Sequence, residues 1–133
     1  MKVNKIFAIC LVACMLLALP TYASSARASE QLNSYDVDIS RPAGRLNVTV
    51  TVSGTLDVTK TGCEVVRIYE KVGSFWVVRD YLREDDPNMY VNSRIYLHTH
   101  TFDANDNAEY RVDVTIFAED PDGRDTRSFT YYV

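Results

Sequence analysis

Apolar and polar residues alternate with a period of two along most of this chain from residue 35 onward. The cleanest stretch lies near the C-terminus, where Tyr110, Val112, Val114, Ile116 and Ala118 fall on one parity and Arg111, Asp113 and Thr115 on the other. Side chains of an extended strand point alternately to opposite faces, so this pattern predicts a strand with one buried face. It reads as the central strand of a β-sandwich. Asp120-Pro121-Asp122-Gly123 ends it, and the run closing on Phe129-Thr130-Tyr131-Tyr132-Val133 folds back against it. A second clear stretch places Leu46, Val48, Val50, Val52, Leu56 and Val58 on one parity, with Asn47, Thr49, Thr51, Ser53, Thr55 and Asp57 on the other. Gly54 interrupts the apolar set, as a bulge or a close backbone approach would.

The remaining pattern fills in the same architecture. Residues 35–39 alternate as a first strand, closed by Arg41-Pro42-Ala43-Gly44, where Pro42 confines that end to an edge or a turn. Lys60-Thr61-Gly62 reads as a turn. Residues 64–72 and 75–82 form two strands joined tightly at Gly73-Ser74, a short-loop hairpin with Val66, Ile68, Trp76 and Val78 facing inward. The acidic stretch Glu84-Asp85-Asp86-Pro87-Asn88 is long enough to cross to another sheet. Residues 94–102 form the next strand with Ile95 and Leu97 inward, and Asp103-Ala104-Asn105-Asp106-Asn107 turns the chain. Strands with turn signals at short intervals and no helical period predict an all-β chain: one antiparallel two-sheet sandwich of about seven strands over residues 35–133.

The N-terminus stands outside this pattern. Lys2 and Lys5 precede an apolar run over residues 6–19, and Pro20-Thr21-Tyr22-Ala23 ends it on a small residue. A run of this length matches a secretory signal peptide, whose core is about 7–15 residues, and falls short of the ~20 a membrane span needs. The expected signal peptide is 1–23, followed by a flexible leader over 24–34. The expected location is extracellular, with no transmembrane segment after signal removal. Leu11-Val12-Ala13-Cys14 resembles a bacterial lipoprotein box, which makes a lipid anchor through Cys14 the alternative. Removing the signal leaves twelve basic against eighteen acidic residues, a net charge of −6. An acidic domain of this kind is a poor partner for nucleic acid or anionic membranes. Cys10 and Cys14 leave with the signal, so Cys63 has no partner for an internal disulfide and reads as a small buried apolar residue.

Tyr110-x-Val112-x-Val114, the turn with Gly123, and Ser128 in the last strand resemble the F–G hairpin of fibronectin type III and immunoglobulin-like domains. Tyr110 stands where a corner tyrosine would. Val66-x-Ile68-x-Glu70-Lys71 with Trp76 after it, Asp86-Pro87-Asn88-Met89, and Tyr110-Arg111 through Ala118 to Gly123 are also similar to stretches of small secreted domains. Those domains come from Gram-positive gut bacteria of the Firmicutes and are of unknown function. The pattern departs from them at Asn107-Ala108, where a glycine often stands. The resemblance implies an immunoglobulin-like sandwich and an extracellular location, and it implies no activity.

Candidate chemistry is sparse. His98-Thr99-His100 places two imidazoles on one strand face, a start for a metal site that zinc would complete with further ligands such as Asp103 or Asp85. Asp103-x-Asn105-x-Asn107 matches the first oxygen positions of a calcium loop, but Ala108 and Val114 stand where a glycine and a bidentate glutamate belong. Turn chemistry accounts for it better, as it does for Asp120-Pro121-Asp122-Gly123. Nucleophile elbow, His-Glu-x-x-His and phosphate-loop patterns are all missing, so the expectation is no enzyme and no cofactor. The sharper feature is the outward parity of the predicted strands: Arg67, Tyr69, Phe75, Arg79, Tyr81, Arg111, Phe117 and Tyr132, with Val77 among them. Gathered on one sheet, they form an aromatic and arginine face of the kind that stacks on sugars or anchors protein interfaces. The expected role is therefore binding an extracellular protein or glycan. A structural or self-associating surface module is the alternative, and a metal-dependent site at His98 and His100 a third.

Overall fold

The computed structural model describes residues 30–133; the expected signal peptide over 1–23, with Cys10 and Cys14, and the first part of the leader lie outside them. Eight strands follow one another: β1 (Leu32–Ser40), β2 (Arg45–Gly54), β3 (Lys60–Val72), β4 (Phe75–Arg83), β5 (Tyr90–Val91), β6 (Ile95–Asp103), β7 (Tyr110–Asp120) and β8 (Gly123–Tyr132). They form two antiparallel sheets, one ordered β1-β2-β6 and one ordered β4-β3-β7-β8, with the short β5 paired to the start of β3. The molecule is an all-β sandwich. Among the described residues no helix is long and apolar enough to cross a membrane.

The core is the space between β2 and β7, and alternation places it there. Leu46, Val48, Val50 and Val52 of β2 are wholly buried, as are Val112, Val114, Ile116 and Ala118 of β7, and Val66 and Ile68 of β3 join them. Fully burying each such side chain is worth about 1.5–3 kcal/mol, so register is strongly specified wherever this row persists. The predicted central strand and the Gly73-Ser74 hairpin are found, but the acidic stretch, read as long enough to cross to another sheet, leads to β5 on β3 of the same sheet, and the crossing comes between β5 and β6. Gly73 has φ +63° and its neighbour Ser74 does not share a positive φ, the pattern of a type II′ turn.

Several expectations are corrected. β1 begins at Leu32, three residues inside the stretch read as leader, and Leu32 is buried. β2 stops at Gly54, so Leu56 lies in the following turn and is 83% exposed, while Val58 folds back onto the glycine. A Cβ at residue 54 would come within 2.5 Å of Val58, which is the close approach that Gly54 permits. Lys60-Thr61-Gly62 is no turn but the start of β3. Its glycine leaves room for the Met89 carbonyl and Tyr90 as β5 crosses, and Cys63 N–H donates to the Met89 carbonyl at 2.7 Å. On β6 the inward parity is the opposite of that expected: Ile95 and Leu97 are 57% and 67% exposed, while Tyr96, His100 and Phe102 are buried. β2 decides this, because Val52, Val50, Val48 and Leu46 stand opposite Tyr96, His98, His100 and Phe102.

Tyr110 has the role expected of it. Its ring is buried at the start of β7, and its hydroxyl accepts the Asn105 N–H at 2.7 Å, five residues upstream. Arg41 caps the same corner, with its guanidinium 4.9 Å from the Tyr110 ring centre and donating to the carbonyls of Ala108 and Asn105. One side chain thus ties the β6–β7 turn to the core, and a second ties the β1–β2 turn to both. Replacing Tyr110 by Phe leaves the Asn105 N–H without its acceptor and should cost about 1–2 kcal/mol in urea unfolding; an unchanged midpoint would show that the corner contributes nothing.

Candidate functional site

The outward side of the larger sheet is a grid built by strand register. Across β4-β3-β7-β8 its rows run Arg83–Val65–Thr115–Ser128, then Tyr81–Arg67–Asp113–Thr130, then Val78–Tyr69–Arg111–Tyr132. Trp76 and Lys71 add a fourth row at one end. Neighbours in the grid stack. Arg67 lies 4.4 Å and Arg83 5.1 Å from the centre of the Tyr81 ring, and Arg111 lies 4.1 Å from that of Tyr69. Arg67 also donates to the Tyr69 hydroxyl at 3.1 Å. Arg111 grips Asp113 through two bonds of 3.2 and 2.7 Å, and Thr130 donates to the same carboxylate at 2.9 Å. Trp76 and Tyr132 bring their rings to 5.6 Å, with the Lys71 ammonium 5.8 Å from the indole. Rings and guanidinium planes brace one another across the face.

Of the expected residues, Arg67, Tyr69, Tyr81, Arg111 and Tyr132 meet on this face. Phe75, Arg79 and Phe117 do not belong to it. A bulge in β4 is the reason for the first two: Ile68 pairs with Asp80 but Tyr69 with Val78, leaving Arg79 as the extra residue. Beyond the bulge the parity inverts, so Trp76 and Val78, expected inside, join the outward grid, and Phe75 and Val77 turn to the other side. Phe75 is nevertheless 75% exposed, because the hairpin runs past the cover of the smaller sheet. Arg79 pairs with Glu70 at 2.9 Å beside a depression with Asp80, Asp103 and Asn105, away from the grid.

Phe117 keeps its outward parity but is 0% exposed, because a charged cluster covers it. The Arg124 guanidinium lies 3.9 Å from its ring centre and the Lys60 ammonium 5.5 Å. Arg124 in turn meets Glu64 at 3.0 Å, Glu84 at 2.7 Å and Glu119 at 2.6 Å, and Lys60 meets Glu84 at 2.5 Å. Glu84, from the acidic stretch after β4, joins the two cations of this cluster. The bonds from Arg124 first, with those from Lys60 behind them, hold its carboxyl well down, at about 2.

His98 and His100 share a face, but it is the inner one. Their rings meet edge-on at 4.7 Å, and His100 is buried. Tyr96 hydroxyl donates to the Asn88 carbonyl at 2.8 Å and stands 2.8 Å from His100 Nε2. With its one proton committed to the carbonyl, that hydroxyl accepts from His100, which fixes the neutral Nε2–H tautomer. Burial first, and the imidazole of His98 second, lower the His100 pKa to about 4. Cys63 sits against the same tyrosine; burial pushes its thiol up to about 12, the condition of an inert thiol and not of a nucleophile. Among the described residues no three His, Cys, Asp or Glu side chains come together in a metal-holding group, so Asp103 and Asp85 do not complete the histidine pair. The turn acids serve the backbone: Asp120 accepts from the N–H groups of Asp122 and Gly123, Asn105 from Asn107, and Asp106 from Gly44. Comparison with protein-family models, curated proteins and solved structures finds no match to this chain.

Two pH windows follow. Glu84 is acidified by folding, so the folded state gains stability above pH 4.5 and loses it as pH falls from 4.5 toward about 2. Glu84→Gln should lower the urea midpoint near neutral pH, with a deficit that shrinks through that window; a deficit independent of pH would remove Glu84 from this role. His100 is lowered by folding, so the unfolded chain binds the extra proton and stability drops as pH falls from 6.5 to about 4. Unfolding midpoints of the parent chain and of His100→Gln between those values should show a slope in the first and a flatter line in the second. Parallel lines would exclude His100 as the source.

Proposed function

We propose that this protein is an extracellular, non-catalytic binding module of the immunoglobulin and fibronectin type III kind, engaging a protein or glycan through the outer face of its larger sheet. The observation that carries the reading is the grid in which Arg67, Tyr69, Tyr81, Arg111 and Tyr132, with Trp76 and Val78, stand together and brace one another. Tyrosine, tryptophan and arginine are the side chains that concentrate binding energy at interfaces, and aromatic faces also stack on sugar rings. The rigidity of the grid matters as much as its composition, because side chains already held in place lose little freedom on binding.

The relation to secreted bacterial sandwiches rests on the similar stretches around Val66, Asp86 and Tyr110, and the corner tyrosine bond supports it. The secreted location rests on the signal-like N-terminus. A binding role fits the neutral buried histidine and the inert cysteine, neither of which is set up for bond-breaking chemistry.

Arrays of glycans and of extracellular proteins should yield a ligand whose capture is lost in Tyr69→Ala and Tyr81→Ala. It should persist in Phe75→Ala, on the opposite side of the same sheet. Capture unchanged in both tyrosine variants would end the assignment to this face.

A further inference from the structure

The charges of the outer face do not balance, and the imbalance is local. Arg111 is paired with Asp113 and Lys71 with Glu109 at 2.8 Å. Arg67 and Arg83 make no ion pair among the described residues, although both flank the Tyr81 ring. Three acids close to them in sequence are engaged elsewhere. Glu84 turns to Lys60 and Arg124, Glu64 also meets Arg124, and Asp86 accepts the backbone N–H of Arg83. Tyr81 is 40% exposed between its two guanidinium groups. The lining of an adjoining depression of about 310 Å³ includes Arg67, Asp113, Thr115, Ser128 and Thr130, with Val65, Val114 and Phe129 as its apolar part. Its hydroxyls are already oriented, Thr115 with Ser128 at 2.9 Å and Thr130 with Asp113 at 2.9 Å.

Resting on the binding role of this face, we infer that its ligand is an acidic polysaccharide, with a carboxylate or sulfate bound by the N–H edges of Arg67 and Arg83 and its sugars laid along the rings of Tyr69, Tyr132 and Trp76 in the following rows. Guanidinium groups offer paired N–H donors to planar or tetrahedral oxyanions while their flat sides remain on the tyrosine. The distribution of apolar area favours a glycan over an acidic peptide. A protein interface keeps its apolar residues at the centre and polar ones at the rim. Here no apolar centre forms: Arg67, Asp113, Tyr69 and Arg111 occupy the middle of the grid, and the rings of Tyr81, of Tyr69 with Tyr132, and of Trp76 are strung over three successive rows. From the Tyr81 row to the Trp76 row is about 13 Å along β3, four residues at ~3.3 Å each, a strip suited to several linked sugars. The chain as a whole carries net charge −4, so general attraction to polyanions works against binding and a local site has to overcome it.

The test is binding of the purified protein to polygalacturonate (carboxylate), heparin (sulfate), dextran (neutral) and poly-glutamate (acidic peptide) by calorimetry at two salt concentrations. Binding to polygalacturonate or heparin, weakened by salt and not shared by dextran or poly-glutamate, is the expected result; which of the two binds names the anion. Arg67→Gln and Arg83→Gln, each with unchanged thermal unfolding, should weaken it by about tenfold, and Arg67→Lys should restore only part of that. Poly-glutamate binding without polysaccharide binding overturns the glycan assignment, and equal affinities in parent and arginine variants overturn the site. Capture of a neutral glycan alone, lost in Tyr69→Ala, overturns the acidic ligand while leaving the binding role of the face in place.

Discussion

The inner row of β7 meets the inner row of β2 across the sandwich, and the rest of the molecule depends on that contact. β7 lies between β3 and β8, so its backbone is paired on both sides and its position is fixed by two ladders at once. Tyr110, Val112, Val114, Ile116 and Ala118 are withdrawn from water against Leu46, Val48, Val50 and Val52. A one-residue slip would expose the whole row, which makes the register close to obligatory. Once the inner row is set, Arg111, Asp113 and Thr115 have to point outward, and their partners on β3 and β8 are fixed with them. The candidate binding face is in this sense the reverse side of the core, positioned by the hydrophobic effect acting on residues that never touch a ligand.

Arginine appears in two distinct uses on the same sheet. Over Phe117, Arg124 and Lys60 act as a lid whose positive charge is matched by Glu64, Glu84 and Glu119. The ring is removed from water and the charges satisfy one another, so that end of the sheet is closed. Around Tyr81 the stacking is similar, but among the described residues neither Arg67 nor Arg83 forms an ion pair. The difference between the two places lies less in the cations present than in whether Glu64, Glu84 and Glu119 reach them. Glu84 turns to Lys60 and Arg124 and away from Arg83 beside it in the chain.

Alternation alone made the sandwich legible wherever a strand ran without interruption, as at Tyr110–Ala118 and at Leu46–Val52, and the corner bond of Tyr110 was legible from its place at the head of the strand. It failed where parity changes within a strand. The extra residue at Arg79 inverts everything from Val78 back to Phe75, and no residue type marks it, because the bulge is a property of how β4 lies on β3. On β6 both parities carry apolar groups, Ile95 and Leu97 on one and Tyr96 and Phe102 on the other; only the valines opposite decide between them. Phe117 was placed on the correct side of its strand and still lost from the surface, since its cover comes from residues 57 positions before it and 7 after. Charged groups brought together from distant points of the chain have no periodic signature.

The bulge at Arg79 has a second effect, on the boundary of the molecule. β4 is the last strand of its sheet, with an unpaired backbone edge and Phe75, Val77 and Val78 exposed near it. A straight edge of that composition is a template on which another chain can add a strand. The extra residue breaks the even spacing of its free N–H and C=O groups, and the charged pair Arg79 and Asp80 stands at the break. A neighbouring chain could extend along only part of the edge before losing register. The irregularity that hid the β4 part of the candidate face from the sequence pattern thus also limits how far the sheet can grow into the next molecule.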